Sequence, residues 1–131
     1  MIELGFRTLL ANETTISSIV ADRVMGMVLD INPVLPAITV QVISSVSGQN
    51  LNGVQDLQRM RVQVDCWGEN YKDAVKLRGA VMKFLDDFVG TLPDGTYLQN
   101  AERVQQIDFF ESLARHFRAM CEFNLYFTLP D

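Results

Sequence analysis

The sequence predicts an α+β fold, with a single four- to five-stranded, mostly antiparallel sheet and two helices packed on one face. Three patterns support this prediction. Residues Tyr71–Val89 carry apolar side chains at helical spacing, whereas Ala37–Val42 and Arg115–Leu129 alternate between apolar and polar side chains, as half-buried strands do. The chain has 131 residues, the usual size of one domain, so we expect residues 1–131 to form a single domain.

The N-terminal segment predicts a short helix, because its apolar residues recur on one face: Ile2, Phe6, Leu9 and Leu10. This helix should end near Asn12, and Thr14 or Thr15 can cap a further turn that runs to Val20. The segment Arg23–Leu29 is rich in β-branched and thioether residues around a glycine and predicts a short strand.

Two strands are expected in the middle of the chain. The first is Ala37–Val42. The second begins at Arg61 and turns Trp67 outward and three small or apolar residues inward, namely Val62, Val64 and Cys66. The segment between them, Ser44–Leu57, is rich in Ser, Gly, Asn and Gln and is too long for a tight hairpin, so we expect a long loop there.

The second half of the chain predicts one helix and two strands. Asn70 can cap the helix, and Gly90 can end it. Tyr97–Asp108 is a weaker strand candidate with many polar residues, which suits a sheet edge. The strand after Arg115 has a fully apolar inner face and should therefore be central in the sheet.

Composition excludes several classes of protein. The net charge of −5 argues against a general nucleic-acid binder, which needs clustered cations. No apolar run is long enough for a membrane span, and no signal peptide is recognised, so we expect a cytosolic protein. Cys66 and Cys121 lack the spacing of a disulfide framework or a metal site and are expected to be reduced and buried.

No catalytic, cofactor-binding or metal-binding residue is predicted, and we expect no enzyme activity. His116 lacks a predicted nucleophile or carboxylate partner and is expected at the surface or an interface. Trp67 is either an interface anchor or packs under a loop of its own chain. Arg78 interrupts the apolar helix face, so it either extends along its aliphatic stem to solvent or forms an ion pair across a subunit boundary.

The order of several short segments resembles the tail-completion (tail-terminator) family of siphophages. These segments are the N-terminal helix with the pair Leu9-Leu10, the segment Ile16–Val28, Leu35-Pro36-Ala37-Ile38, Leu51-Asn52-Gly53, the strand Arg61–Trp67, the helix entry Tyr71-Lys72-Asp73-Ala74 and a C-terminal strand. The resemblance covers nearly the whole chain. Cys66 stands where a bulkier apolar residue is expected.

The resemblance implies a structural subunit of a ring, expected to be a hexamer, at the head–tail junction of a virion. Such a ring caps the tail tube, ends its polymerisation and joins it to head connector proteins, after assembly in the cytoplasm of the bacterial host. DNA would pass through its lumen without specific binding. The residues expected to contact other subunits or the tail tube are Leu51, Asn52, Gly53, Val54, Leu57, Arg61, Trp67, Arg78, Arg118 and Tyr126.

Two other functions remain open from the sequence. One is another neck component, such as a connector adaptor or stopper. The other is a small-ligand-binding or enzymatic α+β domain with a pocket between sheet and helix, in which Arg78 is the candidate polar residue. A nucleic-acid-binding module ranks third because of the net charge.

Overall fold

A computed structural model describes residues 2–29, 33–50, 53–112 and 115–129, with the backbone alone for residues 46–50 and 53–56. The three helices in this part of the chain are α1 (Ile2–Asn12), α2 (Thr14–Val20) and α3 (Tyr71–Asp87). The strands are β1 (Val24–Gly26), β2 (Ala37–Asn50), β3 (Gly53–Gly68), β4 (Gly90–Thr91), β5 (Tyr97–Glu111) and β6 (His116–Thr128). The predicted α+β class is confirmed.

The strands form one mixed sheet in the order β1-β2-β3-β6-β5-β4. β1 runs parallel to β2, and the remaining neighbours are antiparallel. The predicted four- to five-stranded sheet with two helices is therefore wrong in detail. β4 has only two residues and α2 only seven, and elements this short give almost no periodic signal. β6 is central, as predicted.

The loop predicted at Ser44–Leu57 is instead the outer part of a long β-hairpin. β2 and β3 stay paired as far as Asn50 and Gly53, with register shifts after Val42 and Ser47. Backbone hydrogen bonds need no apolar side chains, so a polar composition hid these strands. β3 pairs with β6 only from Leu57 onward, and the outer part of the hairpin thus extends beyond the central strand.

All three helices contribute to one core on a single face of the sheet. The largest buried side chains include Phe6 of α1, Ile16 of α2, Leu77 of α3 and Phe123 of β6. The predicted cap of α3 is confirmed, because the Asn70 side chain accepts a hydrogen bond from the Asp73 amide at 2.9 Å. The predicted threonine cap of α2 is wrong. Glu13 occupies the cap position, and its side chain makes no capping bond.

Both cysteines lie in this core, as predicted, and are unpaired with each other. Burial raises the pKa of the Cys66 thiol well above its usual value and raises that of Cys121 to about 12. These thiols therefore behave as small apolar groups rather than as nucleophiles.

Candidate functional site

The sheet face opposite the helices is the candidate functional surface and is called the outer face below. Strands β3, β6 and β5 each turn alternate residues toward it. Its central residues are Arg61, Gln63, Asp65, Trp67, Gln105, Phe109, Glu111, Arg118, Glu122, Asn124 and Tyr126. Four of the predicted contact residues therefore lie on one surface: Arg61, Trp67, Arg118 and Tyr126.

Arg118 joins the three strands of the outer face. Its guanidinium carbon lies 4.2 Å from the centre of the Phe109 ring and 5.5 Å from the Trp67 ring. Its nitrogens lie 3.0 Å from the Glu111 carboxylate and 3.5 Å from that of Asp65. This arrangement combines cation–π contacts with ion pairing and holds one rotamer of a long side chain.

Asp65 and Glu122 are buried carboxylates on a face that no described helix covers, with 5% and 6% exposure. The Gln63 amide donates to both Asp65 oxygens at 3.1 and 3.0 Å. Even so, burial raises the pKa of Asp65, and this effect outweighs the hydrogen bond from Gln63 and the charge of Arg118. The loss of hydration therefore destabilises the charged form of Asp65 more than Gln63 and Arg118 stabilise it.

Glu122 has a more complete set of partners. Arg61 approaches its carboxylate at 2.6 Å, and the Gln105 amide donates to its other oxygen at 3.0 Å. The Arg61 side chain remains 38% exposed, whereas that of Glu122 is 8% exposed. The guanidinium of Arg61 thus lies at the rim of the pair, with room for a further contact from solvent or from another chain.

Trp67 has partners within its own chain. Its indole N–H donates to the Thr39 hydroxyl on β2 at 3.0 Å, and its ring lies near Arg118. Trp67 therefore contacts the neighbouring strands β2 and β6, whereas one of the two sequence-based alternatives placed it under a loop of its own chain. A contact of Trp67 with another subunit stays a prediction.

Arg78 is buried on α3 and does not extend to solvent. Its guanidinium pairs with the Asp108 carboxylate on β5 and lies near the carbonyl oxygens of Ile107 and Met120. The Tyr71 hydroxyl donates to Asp108 at 2.8 Å, and this bond, with the charge of Arg78, lowers the pKa of Asp108. The ion pair is therefore within the chain. A subunit contact through Arg78 stays a prediction.

The predicted contact residues of the β2–β3 hairpin lie on a different part of the molecule. Gly53, Val54 and Leu57 belong to β3, near the end of the hairpin, and Leu57 pairs with Thr128 of β6. Leu51 and Asn52 fall outside the described residues. The hairpin and the outer face share β3, so one strand connects both sets of predicted contacts.

A cavity of about 440 Å³ lies between α2 and the second half of α3. Its lining comprises Glu13, Thr15, Ala80, Lys83, Phe84, Asp87 and Phe88. It is not between sheet and helix, where the ligand-binding alternative placed its pocket, and Arg78 does not line it. Sequence patterns missed this cavity because its lining combines residues from the apolar face of α3, such as Phe84, with residues from the polar face, such as Lys83.

The described ranges hold neither a cluster of metal ligands nor a helix that could span a membrane. Within them, no three His, Cys, Asp or Glu residues lie close enough together to hold a metal ion. Likewise, none of α1, α2 and α3 is both long and apolar enough to span a membrane.

Comparison with known families shows which family the chain belongs to. A family model described as "Tail completion protein gp17" matches residues 6–128. The chain belongs to this phage tail-completion family. The resemblance predicted from short segments is thus confirmed, and the chain is a structural phage tail protein of a family not known for enzyme activity.

Comparison with solved structures agrees on the fold. A chain from a structure titled "Virion of native gene transfer agent (GTA) particle" aligns with a TM-score of 0.66, covering 93% of this chain and 90% of that one. The two sequences are 14% identical, so the likeness concerns the fold. A comparison with curated proteins found no match.

Proposed function

We propose that this tail-completion protein forms a ring of six copies that caps the tail tube, ends its polymerisation and joins it to the head connector. The single observation that carries the proposal is the family match over residues 6–128. The similarity of its fold to a chain of a virion particle supports the proposal, because the alignment covers 90% of that chain and 93% of this one. The proposal treats residues 1–131 as one tail-terminator-like domain.

The surfaces proposed for contact are the outer face and the β2–β3 hairpin. On the outer face, Arg61 and Trp67 belong to residue types that are enriched in interface hot spots. Arg118 and Tyr126 lie beside them on β6, and both are partly buried. The side chains of Arg61, Trp67 and Arg118 are already ordered by internal contacts, which lowers the entropy lost when a partner binds.

The proposed lumen lets DNA slide without specific binding. The guanidinium groups of Arg61 and Arg118 are already neutralised by Glu122, Glu111 and Asp65. The chain as a whole carries a net charge of −5. A surface with paired cations and an acidic chain releases few counterions from DNA and therefore holds it weakly.

The proposed localisation is the head–tail junction of the virion, after assembly in the bacterial cytoplasm. The partners are further copies of this chain, the tail tube protein and the head connector. Another neck component, an adaptor or a stopper, would bind the head connector first. The order in which purified heads and tail tubes capture the protein separates these functions.

The experiment uses tail tubes grown from purified tube protein. Tubes are extended with and without the full chain, and their lengths and ends are measured by negative-stain electron microscopy. We expect closed rings at tube ends and arrested elongation. Continued elongation at saturating protein would contradict the terminator function. Capture by tailless heads with no binding to tube ends would favour an adaptor or stopper.

Trp67 provides a second readout in the same experiment, because it is the single tryptophan of the chain. If the outer face meets a partner, its fluorescence should change when tubes are added. The Trp67→Phe variant provides the blank. Ring formation without any change in fluorescence would place the contact on another surface.

A further inference from the structure

The sheet has two long strand edges without a partner among the described residues. β5 pairs with β4 only at Tyr97 and Leu98, so its edge from Asn100 to Glu111 is free. β2 pairs with β1 only from Ile38 to Val40, so its edge beyond Gln41 is free as well. A free edge presents a row of unpaired backbone donors and acceptors to any strand that can approach.

The free edge of β5 carries only part of the usual protection against pairing. Residues 100–111 contain no lysine and no proline, and one bulge lies between Arg103 and Gln105. Beyond that bulge, Ile107 is 40% and Phe110 is 52% exposed, on opposite faces of the strand. When another strand joins such an edge, the exposed apolar side chains on both faces are partly buried and removed from water, which is favourable.

The free edge of β2 has matching properties. Val42 is 37% and Ile43 is 44% exposed at the register shift where β1 has already ended. The segment from residue 41 to residue 50 carries no charged side chain. In contrast, residues 100–111 carry three carboxylates and one guanidinium.

Charge selects between the two ways in which copies could join. Pairing of β5 with β5 of a second copy would bring together two segments that each carry three carboxylates and one guanidinium. The ion pairs of Asp108 with Arg78 and of Glu111 with Arg118 reduce the repulsion between them without removing it, and like charges across paired strands are destabilising. Pairing of β5 with the uncharged edge of β2 avoids this repulsion. It also uses two different surfaces, so that every subunit can contact one neighbour on each side.

We propose that neighbouring copies join edge to edge, with the free edge of β5 in one copy adding a strand beside the free edge of β2 in the next. The two edges lie toward opposite sides of the sheet, because β2 and β5 are separated by β3 and β6. Repetition of this contact makes a ring or an open helix, whereas a two-fold contact stops at two copies. The inference rests on the proposed ring and names the surfaces that close it.

Two charged variants test the two edges separately. Ile107→Lys blocks the β5 edge and Ile43→Lys blocks the β2 edge, and both sites are exposed in the single chain. Each variant alone should fail to form rings. An equimolar mixture should form pairs of twice the 14.8 kDa chain mass and nothing larger, because one intact edge of each kind remains.

The control is Leu4→Lys, which changes an apolar residue on α1 that is 52% exposed, against 44% for Ile43 and 40% for Ile107, and should keep rings intact. Mass is measured by analytical ultracentrifugation, with tail tubes present as template where free rings do not form. Rings from both edge variants would overturn the inference and leave the ring itself standing on another surface. Loss of rings in Ile107→Lys together with intact rings in Ile43→Lys would show that the β2 edge takes no part in the contact and would also overturn the inference.

Hydrogen exchange on the unmodified protein gives an independent test that needs no variant. Those amides of residues 105–111 and 41–50 that point to the free side of their strand should exchange at least about tenfold more slowly in rings than in single chains, because pairing protects backbone N–H groups. Unchanged exchange in both segments would overturn the edge-to-edge contact. If the wild-type chain forms no ring even on tail tubes, the proposed function fails and this inference fails with it.

Discussion

Arg78 of α3 and Asp108 of β5 form an ion pair with one buried and one accessible end. The Arg78 side chain is 6% exposed, and that of Asp108 is 40% exposed. A second pair joins the same two elements, between Asp86 of α3 and Arg103 of β5, but both of its members are accessible at 37% and 49%. The same helix and strand are therefore joined by one ion pair with a buried arginine and by one that is exposed to solvent, so the two pairs can be compared directly.

We expect Asp108→Asn to lower the free energy of unfolding by about 1–3 kcal/mol, because it leaves a buried guanidinium without its carboxylate. The matched variant Asp86→Asn should cost less than about 1 kcal/mol, since its pair is exposed to solvent. Urea unfolding followed by circular dichroism measures both values. Equal losses in the two variants would contradict the difference in burial.

Gly68, at the end of β3, lies against the start of α3. A Cβ atom placed there would lie 2.7 Å from the backbone nitrogen of Ala74. We expect Gly68→Ala to destabilise the fold by about 1–3 kcal/mol, because backbone atoms must move to relieve the overlap. Thermal unfolding measures the change.

The control for this substitution is Gly79→Ala in the middle of α3, where an added Cβ meets no atom within 4 Å. That variant should be as stable as the wild type or more stable by up to about 1 kcal/mol, because alanine favours the helix. A stable Gly68→Ala variant would show that the strand-to-helix connection is less tightly packed than described.

Asp65 should make stability depend on pH in the acid range. Its folded pKa lies above the ordinary value of 3.8, so its contribution to stability is largest at low pH and is lost as the pH rises through the raised pKa. We expect Asp65→Asn to gain stability relative to the wild type as the pH rises from 3.8 through the raised pKa of Asp65. A difference that stays constant with pH would contradict the shift.

Asp108 should behave in the opposite sense. Its pKa is lowered, so its stabilising effect is present above 3.8 and is lost as the pH falls through the folded pKa. The penalty of Asp108→Asn should therefore be largest near neutral pH and shrink in acid. Chemical unfolding at a series of pH values distinguishes the two carboxylates.

The two cysteines should resist modification in the folded protein. Cys66 is 0% and Cys121 is 1% exposed, and burial raises the pKa of both thiols. We expect negligible reaction with a thiol reagent near pH 8 until denaturant is added, after which both should react, since the reagent attacks the exposed thiolate. Rapid labelling of either residue in the native state would contradict its burial.

Local patterns predicted the elements whose signals lie within a short stretch of chain. The apolar stripe of α3 and its Asn70 cap are both local, and the alternation along β6 extends over many residues. The polar half of the β2–β3 hairpin was missed, because glycine and asparagine are poor strand formers and the pairing of the two backbones leaves no mark on composition. β1 and β4 have only three and two residues, so their sequences do not indicate which strands they pair with.

The outer face was predicted only as a set of outward residues. Alternation placed Arg61, Trp67 and Arg118 on the same side of their strands, and the structure confirms this. It did not reveal that Asp65 and Glu122 are buried on that side. Glu122 contacts Gln105 of β5, and Asp65 contacts Arg118 of β6. These contacts depend on the register between strands, and the register of β5 against β6 includes a bulge.

The sequence by itself determined the α+β class, the helix α3, the central strand β6, the inward cysteines and the tail-completion family, because each depends on local period or segment order. Only the tertiary structure decided the partner of Arg78, which lies thirty residues away at Asp108. It also decided which strand edges have no partner strand among the described residues. Both depend on which elements become neighbours, and a local pattern of side chains carries no information about that choice.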